Sequence, residues 1–526
     1  MESSPRRLTL LTVLAAALGL AGGGASWVLL RLIGLLTNAA LLHRYQWRLP
    51  SLVGFRPGPE LVAVAAVGGL VVALLALWSP VIRGHGIPET MEAVLTKESR
   101  ISPRAALAKP LSAAVAIGTG GPFGAEGPII VTGGALGSLA GQLLRVSPAE
   151  RKILLASGAA AGMAATFGAP LAAVMLAIEL LLFEFSARAL VPLAVASSVA
   201  AGVHAAYAGP GPLFDVPRHA YTGLAYLPVF AVLGIACGLL AVVVCRGLFR
   251  VEHLFRRSRL SEFWHPVVGA AMFATIGLAV PRALGVGYDV INDILGSRLA
   301  LGTLIGLLLA KLVMWWIALG SGTSGGTLAP VLMIGAAFGA LYARGVAGLL
   351  PHIGLAPAAI VLAAMAATFG ASTRATFTSI VFAFELTHDY DAILPLIVAV
   401  VLADLVSSML LDHSLMTEKL ARRGLDVPRS YVPDLLAGGR VRGVMTSTIE
   451  PGDDHSGIPT IAPGDSLFAA LTRIVDERVD QLPVVEDGRI VGIVTRADVM
   501  RALDRSVRED EPQHGWLASR RRKAAD

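Results

Sequence analysis

The chain is poor in charge, in aromatic residues and in cysteine. Of its 526 residues 15% are Asp, Glu, Lys or Arg, 6% are aromatic, and two are cysteines. So little charge, beside 55% apolar residues and a mean hydropathy of +0.69, excludes an ordinary soluble domain. Cys237 and Cys245 lie in one apolar span, where a disulfide within one straight helix is not feasible, so both are read as packing residues. No Cys/His group has metal-ligand spacing. The net charge of +6 is also thin for a nucleic-acid partner, because the basic residues gather at Arg422, Arg423 and the tail ASRRRKAAD, and no basic face carries interleaved aromatics.

What the chain has instead is apolar length. Stretches of about 20 apolar residues, enough to cross a hydrocarbon core, recur from Leu8 to about Leu411, among them Leu61–Leu77, Val229–Cys245, Gly302–Leu319 and Ala392–Leu411. A polytopic all-α membrane protein is expected, with most of the chain in the bilayer. The first stretch follows MESSPRR; it outruns the apolar region of a signal peptide and shows no clear cleavage site. It is read as a retained helix whose start Arg6 and Arg7 hold on the cytoplasmic side. Compact loops and Ala/Gly/Arg-rich usage point to a bacterial plasma (inner) membrane.

From Asp412 onward the chain becomes charged and mixed in period. Within it, QLPVVEDGRIVGIVTRADVMRAL reads as a strand at Leu482–Val485, an acidic turn, a strand at Ile490–Val494 and a helix opening near Arg496. The expected division is a first membrane half at 1–210, a second at 211–425, a linker at 426–440, a small α/β domain at 441–505 and a charged, disordered tail at 506–526.

Two blocks of the membrane part repeat in register. GAEGPIIVTGGALGSL, from Gly124, lies over GTLAPVLMIGAAFGAL, from Gly326, at an offset of 202, and the same offset lays AATFGAP at Ala164 over AATFGAS at Ala366. Each second block runs on to Glu-Leu, at Glu179 and Glu385, the latter after a four-residue insertion. The membrane part is thus two related halves; the sequence leaves their relative orientation open.

Three glycine-proline breaks stand inside this part: GHGIPE at Gly84, GAEGP at Gly124 and GGTLAP at Gly325. Such breaks in a duplicated membrane protein place helix N-termini, with their free N–H groups and positive dipole ends, inside the bilayer, where they attract an anion. Each alone reads equally well as a capped loop. Glu126, the one carboxylate of its segment, has no neighbouring charge. Acids within a membrane are expensive and carry function.

In order and spacing, GHGIP, GAEGP and GGTLAP resemble the GSGIP, GREGP and GxFxP signatures of the CLC chloride channels and chloride/proton antiporters. The resemblance covers about residues 8–425 and implies a homodimer with a pore in each subunit and two inverted halves of tilted, broken helices. It implies that Glu126 is the gate and competes with the transported anion. It assigns the anion site to His85, Gly86, Ile87 and Pro88, to Gly124, Ala125 and Gly127, and to Gly326, Thr327, Leu328 and Ala329, largely through backbone N–H groups.

Four positions depart from, or add to, that pattern. His85 replaces the usual Ser; an imidazole can donate to an anion and, with an ordinary pKa of about 6.5, would tune the site by pH, or else only bonds the local backbone. Leu328 stands at the usual Phe position. Aligning HSLMTEKLARRG with the end of the family's membrane domain places Met416 at its central Tyr, a softer inner gate. Leu180 falls at the internal glutamate that delivers protons in many antiporters, so either the pathway is uncoupled or protons reach Glu126 through Glu179, His85 or water. Glu179 reads more simply as a helix-end acid. Lys109 matches a lysine near the family's pore and would raise its positive potential, or else snorkels at a helix end.

The segment 441–503 resembles a CBS module. Thr495 and Asp498 of GIVTRAD match the positions that hold an adenine nucleotide's ribose and phosphates, so an adenine nucleotide is the one cofactor in view and none is required; dimerisation is the other role. The function expected is chloride transport, channel-like or weakly proton-coupled, with the CBS module cytoplasmic. The alternatives are a chloride/proton antiporter with another proton route, an exporter of fluoride or another anion, and a CBS-bearing cation transporter or membrane enzyme. The last two need clustered intramembrane acids, a metal motif or a nucleophile with its base, which the sequence lacks.

Overall fold

The computed structural model describes residues 5–144, 146–216, 224–352, 354–425, 427, 440–446, 459–487 and 489–509. The chain divides into two compact units, Ser4–Arg429 and Ser430–Asp526. Apart from residues 427 and 440 the expected linker lies outside the described residues, as does the expected tail beyond 509.

The first unit is helical throughout. Its first set of helices is α1 (Pro5–Leu41), α2 (Glu60–Trp78), α3 (Ile87–Thr96), α4 (Pro103–Gly118), α5 (Glu126–Leu143), α6 (Pro148–Phe167), α7 (Pro170–Ala177) and α8 (Ala187–Ala208). The second is α9 (Leu227–Arg257), α10 (His265–Ala279), α11 (Tyr288–Leu295), α12 (Leu301–Gly320), α13 (Leu328–Leu349), α14 (Pro357–Thr373), α15 (Thr376–Thr387) and α16 (Ile393–Leu410), followed by the short α17 (Glu418–Ala421). Seven of these helices are long and apolar enough to cross a membrane. Of the others, α6 has 20 residues and α5 18, and the rest are shorter; several begin in the interior. This is a multi-pass membrane protein.

Local chemistry sets the helix ends. Ser147 accepts from the Glu150 amide while Glu150 accepts from that of Ser147, a reciprocal cap that starts α6, with Pro148 in its first turn. Gly168, at φ 67°, ends the same helix in the left-handed conformation. Packing relies on small residues: a methyl group on Gly133 of α5 would sit 2.1 Å from the Gly158 carbonyl oxygen of α6, and the reverse holds at 2.1 Å. Backbones can approach this closely only where side chains vanish.

The halves are inverted repeats, tied through equivalent residues. The Gly326 amide donates to the Gly124 carbonyl at 2.8 Å, and the Gly124 amide returns the bond at 3.3 Å. Repeat-equivalent residues that exchange both bonds stand across a local two-fold axis. Both cysteines lie buried on α9 and are free.

The second unit holds α18 (Leu467–Asp476), β1 (Gln481–Glu486), β2 (Arg489–Thr495) and α19 (Arg496–Glu509). β1 and β2 pair antiparallel, Leu482 opposite Val494, with an irregularity at Val484/Val485. Thr446 extends the sheet by exchanging two 2.9 Å backbone bonds with Ile493. Leu467, Ile474, Leu482, Val484, Val494 and Val499 form its core.

Candidate functional site

The three glycine-proline breaks meet at one buried node. α3 starts at Ile87 after Gly86, α5 at Glu126 after Ala125, and α13 at Leu328 after Thr327. The Gly124–Gly326 pairing joins the last two, and a backbone bridge between Gly84 and Ser324 joins the first. His85, Gly86, Ile87, Pro88, Gly124, Ala125, Gly127, Gly326, Thr327, Leu328 and Ala329 are all buried. The spacing leaves no room for side chains: a methyl group on Gly127 would lie 1.9 Å from the His85 carbonyl oxygen. Gly86 is held at φ 99°, a conformation that glycine adopts at little cost.

Glu126 is fully buried at the first position of α5. Its Oε1 accepts a 2.7 Å bond from the Tyr288 hydroxyl. Its Oε2 has no hydrogen-bond partner among the described residues and lies against Gly124 and Gly326, in the space that a methyl group on either would need. The carboxylate therefore occupies the point where the helix starts of both halves converge.

Tyr288 was not legible as a site residue in the sequence, although a faint signal exists. GVGYDV at Gly285 is the counterpart of GHGIPE at Gly84 at an offset of 201, and Tyr288 opens α11 as Ile87 opens α3. The supporting lysines repeat too. The buried Lys109 Nζ donates to the carbonyls of Ile82 and Gly84, both at 2.7 Å. The buried Lys311, 202 positions later, donates to Ala283 at 3.1 Å and Gly285 at 2.8 Å. Each cation pins the turn that leads into one broken helix, and neither has a carboxylate within ion-pair distance among the described residues.

His85 is 1% exposed, and neither ring nitrogen has a hydrogen-bond partner among the described residues. Lys419 and Lys109 act on it electrostatically. Met416 is buried beside Leu415, whose amide donates to the Ser372 carbonyl at 2.9 Å. Buried polar atoms without partners are rare and call for a ligand or water.

Residues 64–408 match the family model described as voltage gated chloride channel, about two thirds of the chain. The chain belongs to this CLC family. Residues 441–505 match the CBS domain. An H(+)/Cl(-) exchange transporter, ClcA, of Vibrio campbellii is 31% identical over 67% of this chain and 79% of its own length. Among solved structures, a slow cyanobacterial Cl-/H+ antiporter is 27% identical, with TM-score 0.71 over 80% of this chain and 99% of its own. A CLC-type fluoride/proton antiporter, 20% identical with TM-score 0.65 over 78% of this chain and 98% of its own, shares the fold.

Within this CLC fold the two acids at the end of the repeat cap each other's helices. Glu179 accepts from the amides of Phe377 (3.1 Å) and Thr378 (2.9 Å) at the start of α15 and from the Thr378 hydroxyl. Glu385 accepts from those of Leu171 (2.9 Å) and Ala172 (2.7 Å) at the start of α7. Leu180 is buried beside Glu179 in a π-helical turn, Ile178–Leu182, that ends α7. The sequence marked Glu179 as a helix-end acid; the structure adds that the helix belongs to the other half.

In the CBS unit Thr495 and Asp498 engage each other. The Thr495 amide and hydroxyl donate to Asp498 Oδ2 at 2.9 and 2.7 Å, and the Asp498 amide donates back to the Thr495 hydroxyl at 3.2 Å. This reciprocal cap opens α19. Among the described residues no group of three or more His, Cys, Asp or Glu could hold a metal ion.

Proposed function

We propose that the membrane unit conducts chloride through the node of three helix starts, with Glu126 as its gate and weak or no proton coupling. One observation carries this reading: a buried carboxylate already stands where helix N-termini of both halves converge, with one oxygen held by Tyr288 and the other without a side-chain partner among the described residues. An anion is the species such a position stabilises. When Glu126 is neutralised or swings out, chloride takes its place, solvated by the amides of Ile87, Gly127, Thr327, Leu328 and Ala329 and by the imidazole of His85, while the Gly86 amide stays on the Glu89 carboxylate at 2.8 Å. Lys109 adds positive potential, and Met416 lines the inner side in place of a hydroxyl donor.

Weak coupling follows from the internal proton position. Leu180 has no proton to carry, and Glu179 is engaged by two amides and a hydroxyl. The second reading is chloride/proton exchange, favoured by the exchange transporter and the antiporter among the relatives; it requires a proton route around Leu180. The protein works as a transporter and not an enzyme, as a homodimer in the plasma membrane, with the CBS domain cytoplasmic and pairing with its partner's. An adenine nucleotide in that CBS cleft would have to compete with the Thr495–Asp498 cap.

The test is radioactive chloride uptake into proteoliposomes at a series of pH values for the wild type and Glu126→Gln. The wild-type rate should rise as pH falls, and the variant should be fast and flat. A pH-dependent variant indistinguishable from wild type removes Glu126 from the gate.

A further inference from the structure

Tyr288 stands opposite the gate on the second half of the molecule, and its placement is over-determined. Its ring packs edge-on between Phe167 and Phe214, with centroid distances of 6.1 and 6.2 Å. Such aromatic contacts fix a ring's orientation. The turn before it is pinned by Lys311 through the Ala283 and Gly285 carbonyls, and Gly287 at φ 79° directs the chain into α11. The only hydrogen bond described for the hydroxyl is the one to Glu126 Oε1 at 2.7 Å.

We propose that Tyr288 is a positioning residue of the gate, a latch whose hydroxyl holds the Glu126 carboxylate in the occluding position, with Lys311 setting the turn that presents it. The proposal rests on Glu126 being the gate. A hydrogen bond to a charged acceptor is among the stronger ones, and it must break before the carboxylate can leave. The turn and lysine are the second-half counterpart of Gly84–Gly86 and Lys109, which in the first half present His85 to the same node. One repeat thus supplies a side chain for the anion, and the other supplies the donor that restrains the anion's competitor.

The charged and titratable groups around the pair are few. Lys311 of α12 acts on Glu126, Asp289 of α11 acts on Lys311, and Tyr207 of α8 acts on Tyr288. The His85 carbonyl lies against Gly127. Tyr288→Phe keeps every one of these groups and removes the donor alone.

The experiment measures chloride uptake into proteoliposomes against pH for the wild type, Tyr288→Phe, Glu126→Ala and the double variant. The latch predicts that Tyr288→Phe raises uptake about tenfold at neutral pH. It also moves the rate-versus-pH curve about one unit toward higher pH, since a carboxylate that has lost its donor is neutralised more easily. In the Glu126→Ala background the same substitution should change nothing. An equal effect in both backgrounds, or an unshifted curve in a folded Tyr288→Phe protein, overturns the latch. Glu126→Ala with wild-type pH dependence overturns the gate itself, whereas flat, fast Glu126→Ala with a silent Tyr288→Phe overturns only the latch. If Tyr288→Phe fails to fold, 3-fluorotyrosine at 288 replaces it. That stronger donor must slow uptake, and an unchanged or faster rate overturns the proposal.

Discussion

Removing the carboxylate of Glu179 should weaken the fold and leave transport intact, because its oxygens cap the start of α15. Glu179 closes the start of α15 with bonds from the amides of Phe377 and Thr378 at 3.1 and 2.9 Å. A capping acceptor is worth about 1–2 kcal/mol, and the charge at a helix N-terminus adds about 0.3–1 kcal/mol at partly exposed positions. Glu179→Gln keeps an acceptor and loses the charge, so it should cost about 0.5–1 kcal/mol. Glu179→Ala loses both and should cost about 2 kcal/mol. Glu385, which closes α7 with two amide bonds at 2.9 and 2.7 Å, should show the same graded pair of losses. The assay is thermal or denaturant unfolding of the detergent-solubilised protein, alongside chloride uptake normalised to folded protein. The reasoning is refuted if Glu179→Gln leaves stability unchanged while abolishing uptake or proton movement. It is also refuted if the Glu385 substitutions cost nothing, since the caps are equivalent by repeat.

Lys109→Met should lower stability by about 2 kcal/mol, since it leaves the buried Ile82 and Gly84 carbonyls without donors. It should also slow chloride uptake per folded protein several-fold. A variant as stable and as fast as the wild type would remove Lys109 from the site. In the CBS unit, burial alone would push the Asp498 carboxyl up, but the Thr495 hydroxyl and amide and the Arg501 guanidinium outweigh it and hold the carboxyl below the ordinary range. A depressed carboxyl stabilises the fold above its unfolded value of about 3.9 and loses that contribution as pH falls through its folded value. Unfolding of the full protein followed by CBS-specific hydrogen exchange should therefore show protection in α19 falling below about pH 4. Asp498→Asn should be less protected at neutral pH and insensitive to acid; protection that tracks wild type at both would contradict the cap.

The parts of the site that could be read from the sequence are those with a chemical signature of their own. Glu126 is a lone carboxylate in an apolar segment, and the three breaks announce themselves because helix starts inside a bilayer require glycine and favour proline. The CBS strands were legible as two short apolar runs about an acidic turn, and the structure extends each by one residue at both ends, where backbone pairing continues past the apolar pattern. Tyr288 escaped because its turn carries no proline and lies one residue out of the main register, so the repeat alignment sets Ile87 against Asp289 instead. Lys311 stands in full register with Lys109, yet a single lysine in an apolar run looks like a snorkelling residue until its carbonyl partners are seen. The exchange of caps by Glu179 and Glu385 depends on contacts about 200 residues apart, which no local pattern encodes.

The most direct test of the central claim records chloride efflux from proteoliposomes together with external pH, for the wild type and Glu126→Gln. A chloride pathway gated by Glu126 with an apolar residue at the internal proton position predicts chloride efflux with little or no proton uptake, and faster efflux in the variant. Stoichiometric proton uptake against its gradient in the wild type, lost in Glu126→Gln while chloride still moves, would contradict it and establish a coupled exchanger.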